Sequence, residues 1–165
     1  MEEIRIRPAK KDDDFRAVAV VYLKTWQRAY LNILPPEYLT QINVNTWQPK
    51  KRWKTTYLAL TVQSKVVGVC TYGPSRSDKF VHYGEIYSLY VDPAYQHRRI
   101  GQRLLKAGVD ALEKAGFSQI FLTVLTKNYS ARNFYAANSF VSTGRPEKTK
   151  TKHGIIDDMP YVYTV

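Results

Sequence analysis

The sequence has little of several features that mark large classes of proteins. Among its 165 residues there is a single cysteine, Cys70, which excludes an internal disulfide and a cysteine zinc cluster. No apolar run approaches the ~20 residues needed to cross a bilayer, so a membrane-spanning protein is excluded. Residues 1–15 contain no apolar segment followed by a small-residue cleavage site, so we find no classical secretory signal. We therefore expect a cytoplasmic protein that has no membrane partner.

Acidic residues are also scarce, since 14 Asp and Glu stand against 25 Lys and Arg and leave a net charge of +11. Such an excess favours polyanionic partners, namely nucleic acid, an acidic protein surface or a small ligand that carries phosphates. The cations are spread along the chain, with local runs at 50–54, 97–103 and 148–152. Each run taken alone is more typical of a solvated surface than of a binding site.

The composition indicates neither disorder nor several domains. The chain is 44% hydrophobic and 13% aromatic, and it has no low-complexity segment, linker or internal repeat. Its length suits one domain that extends over residues 1–165.

Apolar periodicity predicts an alternation of strands and helices. Helices repeat apolar residues every three or four positions, whereas strands show alternating or β-branched runs. The predicted elements are, in order, a strand at Ile4 and Ile6, a helix over 15–26, a helical stretch over 36–55 that breaks near 43–45, strands at 57–63, 65–72 and 83–91, a helix over 100–115 that ends at Gly116, a strand at 119–125, a short helix over 130–138, and strands at 141–143 and 155–165 around a lysine-rich loop. This order predicts an α/β fold of the α+β-like kind. Its single mixed sheet is antiparallel early and partly parallel later, with helices on both faces.

The connection between the strand at 83–91 and the helix that begins near Ile100 is rich in cations, including Arg98 and Arg99. Free backbone N–H groups at the helix start, the helix dipole and the arginine side chains together favour a pyrophosphate site. An ordinary strand-to-helix connection with solvated arginines is an equally good interpretation of these residues alone.

Two motifs flank the predicted strand at 119–125. Residues 89–93 read Leu-Tyr-Val-Asp-Pro and residues 96–101 read Gln-His-Arg-Arg-Ile-Gly. Residues 128–135 read Asn-Tyr-Ser-Ala-Arg-Asn-Phe-Tyr, and Phe140 follows them. In this order and at this separation, the motifs resemble those of the GCN5-related N-acetyltransferases, the GNAT family. The resemblance covers nearly the whole chain.

One loop position departs from the family pattern, because Arg99 stands where the family usually has the first glycine. If the backbone there lies in the right-handed helical region, Arg99 can aim its N–H at a phosphate and add a positive charge. If the position needs a positive φ, the arginine is strained by roughly 1 kcal/mol or more.

The resemblance implies a GNAT-type fold with a partly splayed sheet and direct transfer from acetyl-CoA to a primary amine of a small molecule or peptide, without a covalent enzyme intermediate. Main-chain groups of residues 89–91 would pair with the pantetheine arm, and the amides of residues 98–103 would hold the diphosphate. The residues expected to bind the donor are Leu89, Tyr90, Val91, Gln96, His97, Arg98, Arg99, Ile100, Gly101, Gln102, Arg103, Asn128, Ala131 and Phe134.

Acetyl transfer to an amine also needs a base, an acid and an acceptor pocket. Glu85 is the candidate base, acting directly or through water, because an ammonium must lose a proton before it attacks. Tyr135 matches the family tyrosine that protonates the departing thiolate, while a backbone N–H near Leu89 or Tyr90 would stabilise the oxyanion. The resemblance places Trp26 and Tyr30 in the acceptor pocket. Each of these residues also has a purely structural interpretation. Glu85 could be an ordinary salt-bridged carboxylate, and Tyr135, Trp26 and Tyr30 could be aromatic residues of the core.

The histidines and Cys70 form no metal-binding or Cys–His nucleophile pattern, so we expect acetyl-CoA as co-substrate and no metal. A basic RNA- or ribosome-binding module is a competing hypothesis, favoured by the net charge of +11. Nucleic acid is nevertheless not the expected partner, because no RNA-binding or helix-turn-helix motif is present. An acyl-CoA sensor without turnover is a third hypothesis, and the chain could be a monomer or a homodimer.

Overall fold

An eight-stranded mixed sheet forms the centre of the molecule in the computed structural model, which describes residues 1–151 and 154–165. Its strands are β1 (Ile4–Pro8), β2 (Thr56–Thr61), β3 (Val66–Pro74), β4 (Gly84–Val91), β5 (Gln119–Leu125), β6 (Val141–Ser142), β7 (Glu147–Thr151) and β8 (Gly154–Thr164). They lie in the order β1-β2-β3-β4-β5-β8-β6, and β7 also pairs with β8. Neighbouring strands are antiparallel except β4 and β5, which are parallel, so the predicted mixed sheet is confirmed.

Helices cover both faces of this sheet. They are α1 (Phe15–Ala29), α2 (Pro36–Gln41), α3 (Ile100–Lys114) and α4 (Tyr129–Ala137). Along β2, Leu58 and Leu60 are buried with residues of α1, whereas Ala59 between them is buried with residues of α3. Because successive side chains of a strand point to opposite faces, α1 and α3 lie on opposite sides of the sheet. Burial on both faces explains why the central strands are almost continuously apolar.

Local capping explains where three of the helices begin or end. The carboxylate of Asp14 accepts a hydrogen bond from the N–H of Ala17 (3.0 Å) and thereby caps α1. Asn128 caps α4 in the same way, by accepting from the N–H of Ala131 (3.2 Å). Gly116 follows α3 with φ of +101°, which confirms its predicted role at the end of that helix.

Two sequence-based predictions need correction. The helical stretch predicted over 36–55 is only α2 and a 3-10 segment, Pro49–Thr55, with the intervening residues outside any helix. The lysine-rich loop predicted at 148–152 is instead the strand β7 as far as Thr151, and Lys152 lies outside the described residues. Exposed Lys148 and Lys150 suit a sheet edge, where charged side chains discourage pairing with another chain.

The sheet divides between its two parallel strands. Only two residue pairs join them, Gly84 with Ile120 and Glu85 with Phe121. By contrast, β3 stays paired with β4 as far as Val91, and β5 stays paired with β8 as far as Leu125. The carboxyl-terminal parts of β4 and β5 therefore separate, as the prediction of a partly splayed sheet required. Among the described residues, no helix combines the length and apolar character that a bilayer crossing requires.

Candidate active site

A cleft of about 970 Å³ opens where β4 and β5 separate. Strand β4 and the loop that follows it form one wall, and β5, α4 and β8 form the other, while the end of α1 closes one side. Of the sequence-predicted site residues, those lining the cleft are Trp26, Tyr30, Leu89, Tyr90, Val91, Gln96, His97, Arg99, Ile100, Gly101, Gln102, Asn128, Ala131, Phe134 and Tyr135. The fold therefore brings together residues that are far apart in the sequence.

The loop between β4 and α3 carries a row of available N–H groups. No amide of residues 96–102 donates to a protein acceptor within the described parts of the chain, and the first bond of the helix runs from the N–H of Arg103 to the carbonyl of Arg99 (3.1 Å). Gln96 uses its side chain to bond the carbonyl of Val91 (3.2 Å). N–H groups that converge at a helix start, together with the helix dipole, form an anion-binding site.

Arg99 is in the left-handed conformation, with φ of +61°, and His97 has φ of +63°. Of the two conformations considered for Arg99, the one with a positive φ is therefore observed, and the backbone there is strained by roughly 1 kcal/mol or more. The side chain of Arg99 lines the cleft and adds positive charge beside the free amides.

Arg98 and Arg103 were expected in the same site, but their side chains lie elsewhere. The guanidinium of Arg98 stacks on the ring of Tyr95, 5.0 Å from its centroid. Arg103 donates from Nη2 to the carbonyl of Ile4 (2.9 Å), and its amide is already bonded within α3. The structure therefore brings the amide of Arg98 to the loop but turns Arg103 away from the cleft.

Tyr135 lies in the cleft wall opposite β4. Its ring packs against Phe134, Phe140 and Tyr161, with centroid separations of 5.2, 6.0 and 6.4 Å. Its hydroxyl forms no hydrogen bond with any of the described residues. Burial, with smaller contributions from nearby groups, raises the pKa of Tyr135 above its usual value. The hydroxyl therefore stays protonated at neutral pH and can donate to a ligand.

Glu85 is buried and lies outside the set of described residues that line the cleft. One carboxylate oxygen accepts from the N–H of Arg76 (2.9 Å), and the other accepts from Nε (3.1 Å) and Nη2 (2.5 Å) of the same arginine. The guanidinium of Arg76 also stacks on the ring of Tyr87, 4.2 Å from its centroid. The sequence-based alternative of a salt-bridged Glu85 is therefore observed, and its partner is Arg76.

Aromatic residues surround the end of the cleft that α1 closes. The rings of Trp26 and Tyr30 meet edge to face at 4.6 Å, and Tyr38 of α2 stacks on Trp26 at 6.1 Å. Trp26 also donates from Nε1 to the hydroxyl of Tyr90 on β4 (3.0 Å). Trp26 and Tyr30 are only half-buried, so they are cleft residues as well as packing residues.

Sequence reasoning missed Asp158, a half-buried carboxylate of β8 that also lines the cleft. Its side chain forms no hydrogen bond or ion pair with any described residue. Burial raises the pKa of Asp158, and the like charges of Glu147 and Asp157 add to this. Two consecutive aspartates, Asp157 and Asp158, in a basic segment could have drawn attention to this position. Only the pairing of Asp158 with Leu125, however, shows that Asp158 lies at the cleft.

Metal and thiol chemistry receive no support from the described residues. They contain no group of three or more His, Cys, Asp or Glu placed to hold a metal ion, and His153 lies outside them. Cys70 is fully buried, and this burial raises the pKa of its thiol to about 12. A reactive thiolate is therefore not available at this position.

Comparisons with known proteins agree on one family. Residues 20–140 match the model described as the acetyltransferase (GNAT) family. The uncharacterized N-acetyltransferase YuaI of Bacillus subtilis strain 168 is 31% identical over 141 residues, which cover 82% of this chain and 79% of YuaI. Spermidine N(1)-acetyltransferase of Thermoplasma acidophilum is 25% identical over 138 residues, which cover 78% and 83% of the two chains. The crystal structure of the Thermoplasma acidophilum PaiA N-acetyltransferase with coenzyme A superposes with a TM-score of 0.74 at 20% identity and covers 99% of both chains.

Proposed function

The chain belongs to the GNAT family of acetyltransferases, and from this premise we propose that it moves the acetyl group of acetyl-CoA directly to a primary amine of a small molecule or peptide. The observation that carries the proposal is the row of unbonded amides at residues 96–102, at the mouth of the divided sheet. A nucleotide-linked diphosphate is a ligand that such a row suits.

Donor binding follows from the two walls of the cleft. The amides of residues 96–102 hold the diphosphate, and Arg99 adds its charge. Beyond Glu85, none of the residues that the structure describes pairs with β4 on the β5 side, so main-chain groups of residues 89–91 can pair with the pantetheine amides like an added strand. Asn128 uses its oxygen as the helix cap and keeps its NH2 group for the pantetheine region, beside Ala131 and Phe134.

Acetyl transfer then forms a bond between the amine nitrogen and the carbonyl carbon and breaks the bond from that carbon to sulfur. A backbone N–H near Leu89 or Tyr90 stabilises the oxyanion that forms between these events. Tyr135 donates its hydroxyl proton to the departing sulfur and regains a proton from solvent. Thioesters already react with amines, so the alignment of the two substrates accounts for much of the rate.

The attacking amine must be neutral, and it releases its protons to solvent. Glu85 holds Arg76 through three hydrogen bonds and lies outside the cleft, so direct contact with the amine would require Arg76 to move. We therefore propose that water takes the proton from the amine. The sequence-based prediction that Glu85 is the base, acting directly or through water, stays a prediction, which paired substitutions of Glu85 and Arg76 can test.

The two competing hypotheses have less support. Two cations of the 97–103 run already have partners on the protein surface, because Arg98 stacks on Tyr95 and Arg103 bonds to the carbonyl of Ile4, although both residues stay exposed. An acyl-CoA sensor would have no need of a protonated hydroxyl in the cleft, which Tyr135 supplies.

The test has two stages. Thermal unfolding is first measured with and without acetyl-CoA, where a donor at a hundred times its Kd stabilises the folded state by ~2.7 kcal/mol. Thiol release is then followed with a panel of primary amines that includes peptides and spermidine. No shift at millimolar donor contradicts the proposal, while a shift without thiol release for any amine favours the sensor.

A further inference from the structure

An unpaired carboxylate at one end of the cleft is unexpected in a protein with a net charge of +11. This carboxylate is Asp158 of β8, which forms no ion pair with any described residue. Glu147, its partner on the neighbouring strand β7, forms an ion pair with Lys79 (3.2 Å). Asp157 is exposed and faces the other side of the strand. Asp158 is thus a half-buried negative charge that lines the cleft, and no cation of the described residues pairs with it.

Sheet geometry separates Asp158 from the reacting groups. Strands β4, β5 and β8 are consecutive and neighbouring strands are about 4.8 Å apart, so β8 lies at least about 10 Å from β4. Along β8, Asp158 is three residues, or about 10 Å, from Tyr161, whose ring contacts that of Tyr135. A carboxylate in this position reaches a distant part of an acceptor rather than its attacking nitrogen.

The residues around Asp158 suit a cation. Trp26 and Tyr30 line the same end of the cleft, and the charge of Asp158 contributes, after burial, to the raised pKa of Tyr30. Ile156 lies on the same face of β8 and adds apolar surface to the cleft. Aromatic faces beside a carboxylate bind ammonium groups, because the rings attract the cation and the carboxylate neutralises it. Arg28 also lines the cleft, but it is exposed and screened by solvent.

We propose that Asp158, with Trp26 and Tyr30, binds a second ammonium group of the acceptor, so that diamines and longer polyamines are the favoured substrates. The inference rests on the proposed acetyl transfer and names its acceptor class. The distant nitrogen stays protonated and paired with Asp158, while the near nitrogen loses its proton and is acetylated. The local charge at the site therefore selects a cation, although the protein's net charge alone would favour an acidic acceptor.

The test compares α,ω-diamines from propane to decane with n-alkylamines of the same lengths, at saturating acetyl-CoA. For the best diamine we expect kcat/KM to exceed that of the matched alkylamine about ten- to hundredfold, the range for a hydrogen bond to a charged group. Asp158→Asn should abolish this preference by raising KM for the diamine, with a much smaller effect on the alkylamine. Asp157→Asn, an exposed change one residue away, is the matched control and should keep the preference.

Each outcome decides the question. Equal kcat/KM for diamines and alkylamines in the unmodified protein overturns the inference and leaves acetyl transfer intact. A loss of kcat that is equal for both acceptors in Asp158→Asn, with a changed pH profile, makes Asp158 the base and also overturns it. The donor-induced thermal shift shows whether the variant is folded. If the unmodified protein acetylates no amine, the proposed function fails and the inference fails with it.

Discussion

The two ends of the cleft are built in different ways. The end of the cleft that we propose for the donor consists mainly of one continuous segment, residues 89–102, with α4 beside it, and it offers chiefly backbone groups that a loop and a helix start hold in place. The end that we propose for the acceptor is assembled from side chains of α1 and β8, with Trp26 and Asp158 more than half the chain apart in sequence. A backbone site leaves a local sequence signature, whereas a side-chain site of this kind depends on how distant strands pair.

The hydroxyl of Tyr135 lies between these two ends, and its removal should have the largest effect. Tyr135→Phe keeps the ring packing but removes the proton donor, so kcat should fall about a hundred- to ten-thousandfold. The thermal shift caused by acetyl-CoA should remain, because the ring wall of the cleft is unchanged. Tyr129→Phe, an exposed change in the same helix, is the control. Equal losses of turnover and donor binding would contradict the acid role.

The donor end can be tested by deleting a single backbone donor. Gln102 is exposed in the first turn of α3, where a missing N–H costs no helix bond, so proline can replace it. Gln102→Pro should bind coenzyme A about ten- to hundredfold more weakly than Gln102→Ala, because only the proline variant lacks the amide. Isothermal titration measures both affinities. A truncated pantetheine thioester should not distinguish the two variants, and if it does, the amide does not contact the diphosphate.

Paired changes at Glu85 and Arg76 test whether Glu85 acts in catalysis or in structure. Glu85→Gln and Arg76→Gln each break the same ion pair, so we expect similar losses of about 1–3 kcal/mol in unfolding free energy. Acetyl transfer should fall by a similar, modest factor in the two variants. A loss of about a hundredfold in Glu85→Gln alone would restore Glu85 as the base.

The smallest effect concerns the stability of the acceptor end. Burial raises the pKa of Asp158 in the folded protein above its pKa of ~3.9 in the unfolded chain. The ionisation of Asp158 therefore lowers the stability of the ligand-free protein as the pH rises from the unfolded-state pKa through the folded-state pKa. Asp158→Asn should therefore be more stable at pH 7, by at most about 1 kcal/mol because solvent screens a half-exposed group. Thermal unfolding should show this advantage shrinking as the pH falls. An advantage independent of pH would mean that charge is not its cause.

The sequence predicted those parts of the fold that local patterns determine. The strand at 119–125 and the helix near 100–115 were predicted nearly to the residue, because each has an apolar repeat and an end signal. Strand β7 was missed because alternating lysines and threonines at a sheet edge resemble a solvated loop. The donor site predicted from the motif stays a prediction, and the structure adds that the side chain of Arg103 bonds to the carbonyl of Ile4 and does not line the cleft.

Side-chain partners from distant segments could not be predicted in this way. Arg76, which engages Glu85, comes from the segment after β3, and Asp158 reaches the cleft only through the register that pairs it with Leu125. The sequence also could not decide whether the backbone at Arg99 is strained, because it does not determine the sign of φ at a non-glycine residue.

The division of the sheet has a consequence for the order in which substrates bind. If the pantetheine arm pairs with β4, it supplies a missing strand and becomes part of the floor on which the amine rests. The acceptor site is then complete only after the donor has bound. We therefore expect an ordered cycle, in which the nucleotide substrate enters first and its thiol product leaves last.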